Sequence, residues 1–420
     1  MALGRVGLQF LAGLASALLA YTVLETTRPT LLLVGNVTVD VVEGKKALGG
    51  AVSYAAAVAA AMGVRACVVT ANDGEADLSL FKDHDLHVVL SNATLTFEHT
   101  YTFWGNRRKL RVTKQPNVTL TMQHVPWHCR RARVVLLGPL MPEDMDPASF
   151  VNHQLPAWDR LLGARQQVGL MAQGLQRALD SGKKVYQLKE PSQQLKDALG
   201  PHTAVFLSDV EADVWTAGAV EELAQQTQVF LVTRGSDGAD EYTPGARRRY
   251  PIFQVDGVVD TNGAGDSFAT GWMLAAARGH SSPTAVANWA GAMAVSQPQS
   301  CKPACVGDAA RSRLEDVPPS DGQQHSLVAQ AAALLEQHFG VSLGPILGRV
   351  EQQLGPSLAA ARAALEKHLG PRVAEARQVA DRHLGPRLAA ARAVLKQQLE
   401  PWLAGATELL TSKKGSAATP

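Results

Sequence analysis

The sequence contains few cysteines, few aromatic residues and almost no net charge. Four cysteines among 420 residues are too few for a small disulfide-stapled scaffold. The 40 basic and 38 acidic residues leave a formal net charge of +2, which argues against nucleic acid as the main partner. A wholly disordered chain is also excluded, because 46% of the residues are hydrophobic. A chain of this length can bury one large core and carry an appendage.

The cysteines and histidines do not form a recognisable metal-binding pattern. Cys301 and Cys305 are close in sequence, but a structural zinc site typically uses tighter Cys-x-x-Cys pairs and four ligands. His84 and His87 lie three residues apart, and nothing in the sequence pattern completes a site around them. We therefore expect no metal site at these residues and expect ordinary buried or free thiols, as in a reducing compartment.

One uncharged stretch, residues 7–24, is long enough to suggest a membrane segment. Three interpretations are open: a signal anchor, a cleaved signal or transit peptide, and a helix packed on the domain. Arg5 and Arg28 flank the stretch almost symmetrically, so the positive charges do not set an orientation. Because no other stretch of this kind occurs in the sequence, a multi-span membrane protein is excluded.

Between residues 30 and 307, short runs rich in valine and leucine alternate with longer helical patterns. The short runs predict buried strands at 30–37, 66–71, 132–138, 204–209 and 229–235. The longer patterns predict helices at 50–63, 166–181, 210–225 and 266–279. This alternation predicts an α/β fold with a mainly parallel sheet covered on both faces. Residues 86–122, rich in threonine, valine and aromatic residues, are predicted to form a small β lid.

The strongest local motif is Asp-Thr-Asn-Gly-Ala-Gly-Asp at residues 260–266, directly before an apolar helical run. Gly263, Ala264 and Gly265 are predicted at a helix N terminus, where unpaired N–H groups and the helix dipole suit a phosphate. Asp266 follows in the first turn, where a carboxylate can accept a proton from a hydroxyl. The motif therefore predicts phosphoryl transfer to an alcohol. Since the G-x-x-x-x-G-K-[ST] loop is absent from the sequence, phosphate binding has to rest on this motif.

Residues 260–266 match the Asp-Thr-x-Gly-Ala-Gly-Asp signature of ribokinase-like (PfkB) sugar kinases. Other segments resemble the family in order and spacing, namely the opening strand at 35–40, the di-glycine segment at 48–50, the nucleotide loop at 233–238 and the helix lining the adenine pocket at 285–295. The resemblance covers residues 30–307 and implies a ribokinase-like three-layer sandwich with a β lid. The lid-strand residues that look like the plant-type inositol kinase branch are Thr96, Phe97, Glu98 and Tyr101.

The resemblance implies a role for each matching residue. Asp266 would be the base that activates the acceptor hydroxyl, beside an anion hole formed by residues 263–265. The residues implied to hold the substrate hydroxyls are Asp40, Gly49 and Gly50. The residues implied to bind the nucleotide ATP are Thr233, Gly235, Gly238 and Asn288.

The resemblance also implies bound metal ions. The sequence departs from the family pattern at two positions, Ser208 and Tyr54. Glu211 would help to position Mg²⁺ through water, and Asp260 would lie near a monovalent-cation site, for K⁺, where family members have one. The family's Asn-x-x-Glu motif is Ser208-Asp-Val-Glu211 in this chain, so serine replaces asparagine. Tyr54 stands where ribokinases often have an asparagine after the di-glycine, which argues against ribose as the acceptor.

The character of the sequence changes after residue 307. Residues 308–326 are polar and contain proline, as in a linker. Residues 327–411 carry Leu-Gly-Pro repeats between segments of high helix propensity, with leucine and valine on one stripe, and a short tail follows at 412–420. This pattern resembles the exchangeable apolipoproteins, and one interpretation is binding along a lipid surface. The alternatives are a helical hairpin docked on the kinase domain, an oligomerising bundle and a poorly ordered tail.

The sequence therefore predicts an ATP-dependent kinase for a hydroxyl of a small sugar or polyol, inositol-like or another carbohydrate. A nucleoside kinase keeps the chemistry and changes the acceptor, and a membrane-tethered adaptor with an inactive kinase core is the alternative of another class. The expected location is a membrane surface with the kinase domain (30–307) facing the cytosol, or an organelle if residues 1–29 are a cleaved targeting peptide. The expected partners are the substrate, a membrane surface contacted through 7–24 and 327–411, and a second copy of the chain.

Overall fold

The computed structural model describes residues 28–101, 108–161, 164–298 and 301–317. The predicted N-terminal segment at 7–24, the repeats at 327–411 and the tail at 412–420 lie outside these residues. Across the ranges that the structure describes, no helix is both long and apolar enough to span a membrane. Membrane attachment, localisation and self-association therefore stay predictions.

The described residues form fifteen strands and nine α-helices. The strands are Leu31–Val34 (β1), Thr38–Val42 (β2), Lys45–Gly49 (β3), Ala66–Asn72 (β4), Asp85–Leu90 (β5), Leu95–Tyr101 (β6), Arg108–Lys114 (β7), Val134–Leu137 (β8), Gln167–Met171 (β9), Arg177–Leu179 (β10), Val185–Gln187 (β11), Thr203–Ser208 (β12), Val229–Thr233 (β13), Ala239–Thr243 (β14) and Ala246–Tyr250 (β15). The helices are Ala51–Ala61 (α1), Pro147–Val151 (α2), Ala157–Leu161 (α3), Gln193–Asp197 (α4), Asp209–Ala212 (α5), Ala219–Ala224 (α6), Ala264–Ala277 (α7), Pro283–Val295 (α8) and Ala304–Ser312 (α9).

Nine strands form one central sheet in the order β15-β14-β13-β12-β9-β8-β1-β4-β5. The strands from β13 to β5 are parallel, and β14 and β15 add an antiparallel edge. The side chains of β1 alternate between two buried clusters, with Leu31 and Leu33 in one and Leu32 and Val34 in the other. Both faces of the inner strands are thus buried, which is why strands such as β1, β8 and β13 are continuous apolar runs. The predicted α/β fold with a mainly parallel sheet is confirmed.

Helix α7, which carries the predicted base, is held tightly on one face of the sheet. The ring of Phe206 in β12 makes edge contacts with Phe268 and Trp272 of α7, at centroid distances of 6.4 and 5.8 Å. Trp272 Nε1 donates to Thr284 Oγ1 in α8 at 3.1 Å. A Cβ on Gly271 would lie 2.8 Å from Ala290 Cβ, so glycine permits the close approach of α7 and α8. These contacts fix the N terminus of α7 relative to the strand ends.

A separate four-stranded sheet, in the order β3-β2-β6-β7, forms the lid. It is built from the hairpin β2–β3 and the hairpin β6–β7, joined by parallel pairing of β2 with β6. The lid predicted at 86–122 is therefore only partly right. Residues 85–90 form β5 at the edge of the central sheet, and the lid takes its other half from residues 38–49.

Three other predictions from the sequence, two helices and the end of the folded domain, were wrong. The helix predicted at 166–181 is strand β9, a 3₁₀ helix and strand β10, because the run at 167–171 lies in the middle of the sheet between β8 and β12. The helix predicted at 210–225 is two short helices, α5 and α6, separated where Gly218 adopts a left-handed conformation with φ of 87°. The folded part continues past residue 307, because Val306 and Ala310 of α9 are buried in the core.

The cysteines are not the free thiols that we expected. Cys67 forms a disulfide with Cys129, and Cys301 forms one with Cys305. Cys67 lies in β4 and Cys129 in a 3₁₀ helix, so their 62-residue separation in sequence hid the pairing. In the Cys301–Cys305 pair the sequence separation is 4, one more than in a Cys-x-x-Cys pair of zinc ligands, and the disulfide closes a short loop.

A buried carboxyl group, Asp144, predicts a pH dependence of stability. Its Oδ2 accepts the N–H groups of Leu140 and Met141, each at 2.9 Å. Burial outweighs these bonds and raises the pKa of Asp144 to about 6 from 3.8. The folded state thus holds this proton more tightly than the unfolded chain does. Its contribution to the free energy of unfolding therefore falls as the pH rises from 3.8 towards 6, and it is constant above that.

An Asp144→Asn variant isolates this effect, because its amide oxygen can keep both N–H bonds and the group cannot ionise. We expect the free energy of unfolding of the variant, relative to wild type, to rise between pH 4 and pH 7 by on the order of 2–3 kcal/mol. Urea denaturation at several pH values measures it, with the exposed Asp83→Asn as the control. Parallel profiles for Asp144→Asn and wild type would contradict the assignment.

Candidate active site

The glycine-rich turn sits at the N terminus of α7, as predicted. Gly263 is the residue before the helix and has a φ of 77°, and a Cβ on it would overlap the ring of Tyr54. The N–H of Ala264 donates to Thr261 O at 3.3 Å. Gly265 is exposed, and a Cβ built there meets no atom within 4 Å. The N terminus of this 14-residue helix therefore opens at Gly265, where its dipole favours an anion.

Asp266 lies in the first turn of α7 and is 8% exposed. Gln173, which follows β9, donates from Nε2 to Asp266 Oδ1 at 3.4 Å. Gln173 in turn accepts a bond from Arg177 Nη2 at 2.9 Å. This chain of bonds orients one oxygen of the carboxylate, and a carboxylate next to a helix N terminus can take up a proton beside an anion site.

Arg177 connects the body of the protein to the lid. Its guanidinium donates to Leu140 O at 3.0 Å and lies 5.9 Å from the ring centroid of Phe97 in lid strand β6. Both side chains are buried. Sequence reasoning missed Gln173 and Arg177, because they lie in the segment that was predicted as a helix and carry no motif of their own.

The residues implied to hold the substrate come together in the β2–β3 hairpin of the lid and at the start of α1. In the β2–β3 hairpin, Thr38 is opposite Gly49 and donates from Oγ1 to Asp40 Oδ1 at 2.9 Å. A Cβ on Gly49 would overlap the Asp40 carboxylate, so only glycine fits there. Gly50 has a φ of 94° and starts α1. His99 of β6 adds a third polar group, with Nε2 at 3.5 Å from Asp40 Oδ1.

The predicted nucleotide loop follows the carboxyl end of β13. Thr233 is the last residue of this strand and is paired with Ser208, the last residue of β12. Gly235 and Gly238 have φ values of 52° and 88°, and a Cβ on Gly238 would overlap the backbone of Tyr250. The sheet therefore places this loop next to the Ser208–Glu211 segment, at the edge where parallel sheets bind ligands.

A buried ion cluster holds the hairpin behind this loop. Asp240 is fully buried, and its carboxylate accepts hydrogen bonds from Arg234, Arg247 and Arg249 at 2.5 to 2.9 Å. The bond with Arg249 is the largest of the causes that hold the pKa of Asp240 far below its usual range. Arg247 and Arg249 thus anchor β15 to β14, and Arg234 ties the loop between β13 and β14 to the same carboxylate.

Asn288 contacts the backbone of the chain that leads to the motif. Its Nδ2 donates to Pro251 O at 2.7 Å, at the start of the connection from β15 to α7. In this structure the Asn288 side chain therefore stabilises the connection from β15 to α7. Binding of the nucleotide by Asn288 stays a prediction.

Glu211 caps the short helix α5 and keeps one oxygen available for Mg²⁺. Its Oε2 accepts the backbone N–H of Ser208 at 2.7 Å, which is one half of a capping box, and it also accepts the Ser208 hydroxyl. Glu211 Oε1 has no hydrogen bond to another described residue. A carboxylate oxygen in this position fits a Mg²⁺ held through water, which would supply charge neutralisation at the phosphates.

Lys302 occupies the oxygens near which the resemblance implies K⁺. Its ammonium group donates to Asp260 O at 2.7 Å and to Asn262 O at 2.8 Å, and it lies 3.3 Å from Asp260 Oδ2. The side chain is fully buried, and burial lowers the pKa of Lys302 while Asp260 opposes that shift. A monovalent cation does not fit at these oxygens, because an internal cation already binds them.

The fold and the site together define a class of protein. It is an α/β enzyme in which a helix N terminus suits phosphate binding, a buried carboxylate lies next to it and a separate β-sheet forms a lid. Residues 169–305 match the family model for the pfkB family carbohydrate kinases. The match covers about a third of the chain, confirms the predicted resemblance for these residues and supports a kinase. No curated protein matches the chain in sequence.

Several solved structures are similar to this chain. A plant ribokinase from Arabidopsis thaliana, complexed with ribose and ATP, is 18% identical, with 70% of this chain and 99% of that chain covered and a TM-score of 0.49. A pyrophosphate-dependent kinase in the ribokinase family, complexed with myo-inositol, is 18% identical, with 64% and 96% covered and a TM-score of 0.48. The adenosine kinase from Sinorhizobium meliloti is 18% identical, with 68% and 99% covered and a TM-score of 0.47.

Proposed function

We propose that the protein transfers the γ-phosphoryl group of ATP to a hydroxyl of a small sugar or polyol. The observation that carries this proposal is the buried Asp266 carboxylate directly after the glycine-rich N terminus of α7. In the reaction the acceptor oxygen forms a bond to the γ-phosphorus, the bond to the ADP oxygen breaks, and the hydroxyl proton passes to Asp266. Gln173 orients the carboxylate, and the N terminus of α7 stabilises the charge on the phosphoryl oxygens.

The polar groups on the lid support a polyol as the acceptor. Asp40, Thr38 and His99 lie side by side, and a carboxylate with neighbouring hydroxyl and imidazole groups can bind adjacent hydroxyls. A nucleoside needs an open aromatic face for its base. Of the three lid aromatics that could stack on a base, Phe97, Tyr101 and Phe103, only the side chain of Phe97 is described, and its ring does not offer an open face, because it is 4% exposed and Arg177 lies over it. The nucleoside kinase therefore stays the second candidate.

A donor and acceptor panel tests the proposal. ATP or pyrophosphate is supplied to the full chain with Mg²⁺ and with sugars, polyols including myo-inositol, or nucleosides, and phosphorylated acceptor is measured by mass spectrometry. We expect product with ATP and at least one polyol or sugar, and none without an acceptor. Product with nucleosides alone would favour the second candidate. Binding of ATP without product from any acceptor would favour the adaptor with an inactive kinase core.

A further inference from the structure

A second cluster of reactive side chains lies at the amino edge of the central sheet, away from the kinase site. Cys67 is the second residue of β4, and it is paired across the sheet with Asp85, the first residue of β5. Cys129 and the residue before it, His128, approach from a 3₁₀ helix. We call these four residues the amino-edge cluster. The kinase residues follow the carboxyl ends of the parallel strands, so the two sites lie at opposite edges of the sheet.

The amino-edge cluster is compact. One potential ligand atom from each of its four residues lies within 4.8 Å of the other three. His128 Nε2 is 2.8 Å from Asp85 Oδ2, and the sulfurs of Cys67 and Cys129 are 3.8 and 4.0 Å from the same oxygen. The sulfurs are joined in a disulfide. A disulfide by itself requires neither the imidazole nor the carboxylate, so the presence of both at this distance needs a separate explanation.

The donor set is that of a zinc site. Zn²⁺ is held tetrahedrally by cysteine, histidine and carboxylate groups with bonds of about 2.0–2.3 Å, so its ligand atoms lie about 3.3–3.8 Å apart. The distances from Asp85 Oδ2 to His128 Nε2 and to the sulfurs of Cys67 and Cys129 are 2.8, 3.8 and 4.0 Å, and they span this range. The two sulfurs need to move apart, which rotation about the Cα–Cβ bonds allows once the disulfide is broken. The cysteines are buried while His128 and Asp85 are half-buried, so an ion can enter from the surface.

His87 completes the surroundings of the cluster. It lies two residues after Asp85 on the same face of β5, and its Nε2 is 3.2 Å from Asp85 Oδ1. A hydrogen bond from this imidazole to the carboxylate holds Asp85 in place and is typical of the residues around metal ligands. His87 Nε2 also lies 4.0 Å from Cys129 Sγ, but His87 is not among the residues whose ligand atoms all lie within 4.8 Å of one another, so we assign it as a positioning residue.

We propose that Cys67, Asp85, His128 and Cys129 form a redox-controlled Zn²⁺ site. In the oxidised state the sulfurs are joined and no metal binds. A dithiol reductant transfers two electrons and two protons, the S–S bond breaks, both thiols form, and the reductant becomes a disulfide. Zn²⁺ then binds the two thiolates with the imidazole and the carboxylate, and two protons are released. The inference is independent of the proposed kinase function, because none of these residues belongs to that site.

The test uses the full chain with Cys301→Ser and Cys305→Ser, so that the remaining thiols are those of the cluster. The protein is reduced with dithiothreitol, desalted without oxygen and titrated with Co²⁺, whose thiolate charge-transfer and tetrahedral d–d absorption report the ligands. We expect one Co²⁺ per reduced chain, displaced by Zn²⁺. The oxidised chain is expected to show no charge-transfer band and two fewer titratable thiols.

Two ligand variants and a matched control locate the site. His128→Ala and Asp85→Asn are each expected to weaken Zn²⁺ binding in the reduced chain by about tenfold or more. His202→Ala removes an exposed histidine elsewhere and is expected to bind as the parent does. Circular dichroism checks that each variant is folded. If His128→Ala does not fold, the comparison with His202→Ala is made with Asp85→Asn alone.

Three outcomes would overturn the proposal. A reduced chain without a thiolate charge-transfer band has no such site. Equal Zn²⁺ affinity in His128→Ala, Asp85→Asn and His202→Ala places the metal elsewhere. Zn²⁺ that stays bound under oxidant, with both thiols still titratable after denaturation, shows a permanent metal site without redox control.

Discussion

Replacing Asp266 with asparagine is expected to lower the rate of acceptor phosphorylation by about 10²- to 10⁴-fold. The amide has the same shape as the carboxylate and can keep the bond from Gln173, but it cannot accept the hydroxyl proton. The rate is measured as product per enzyme at saturating ATP and acceptor, together with the KM for ATP. Because the helix N terminus is unchanged, we expect the KM for ATP to change little.

Asp256→Asn is the matched control for this variant. It changes the charge in the same way at an exposed position on the connection that leads to the motif. We expect it to have the activity of wild type. An Asp266→Asn protein that retains turnover within tenfold of wild type would show that another group accepts the proton, and the assignment of the base would then be wrong.

The second large effect is expected at Lys302. Changing it to methionine keeps the length of the side chain but removes the ammonium group from Asp260 O, Asp260 Oδ2 and Asn262 O. The buried oxygens then lose their partner, which is expected to lower the free energy of unfolding by on the order of 3 kcal/mol. Since these oxygens belong to the motif that ends in Asp266, we also expect turnover to fall at least about tenfold, the cost of a misplaced catalytic group.

The potassium dependence distinguishes this role of Lys302 from simple destabilisation. Wild type is expected to be equally active with K⁺ or with a bulky organic cation as the only monovalent cation, because Lys302 supplies the charge. K⁺ is expected to restore part of the activity of Lys302→Met by binding the vacated oxygens. The exposed Lys196→Met is the control and should behave as wild type. If wild type required K⁺ for activity, the Lys302 ammonium would not take the place of a monovalent cation, and this role of Lys302 would be wrong.

The departures from the family pattern acquire a physical meaning in the structure. Ser208 and Glu211 form a capping box, which the pattern Ser-x-x-Glu before a helix signals in the sequence itself. Tyr54 packs its ring where Gly263 has no side chain, so the tyrosine shapes the turn of the motif. Neither substitution disrupts the arrangement around Asp266, which argues against the adaptor with an inactive core.

Local sequence patterns were sufficient wherever the structure depends on neighbours in the chain. The buried strands at 31–34, 66–72, 134–137, 203–208 and 229–233 were predicted from their apolar composition, and α1 and α7 from their helical pattern. The segment at 167–179 was predicted incorrectly, because its apolar residues fit a helix equally well until β8 and β12 pair with it. The lid was half found, because β2 and β6 pair over a separation that no local pattern records.

The sequence by itself determined the motif at 260–266, its place at a helix N terminus and the resemblance to the pfkB family, because those features need only consecutive residues with the right φ angles and side chains. Tertiary structure decided which distant residues contact that motif. It also decided which residues surround Cys67 and Cys129. Gln173 reaches Asp266 from the segment after β9 and is itself held by Arg177, Lys302 reaches Asp260 from a disulfide-closed loop, and the amino-edge cluster gathers residues from 67 to 129. The physical reason is that a parallel sheet aligns strand ends from remote parts of the chain along one edge, and sequence distance carries no record of that alignment.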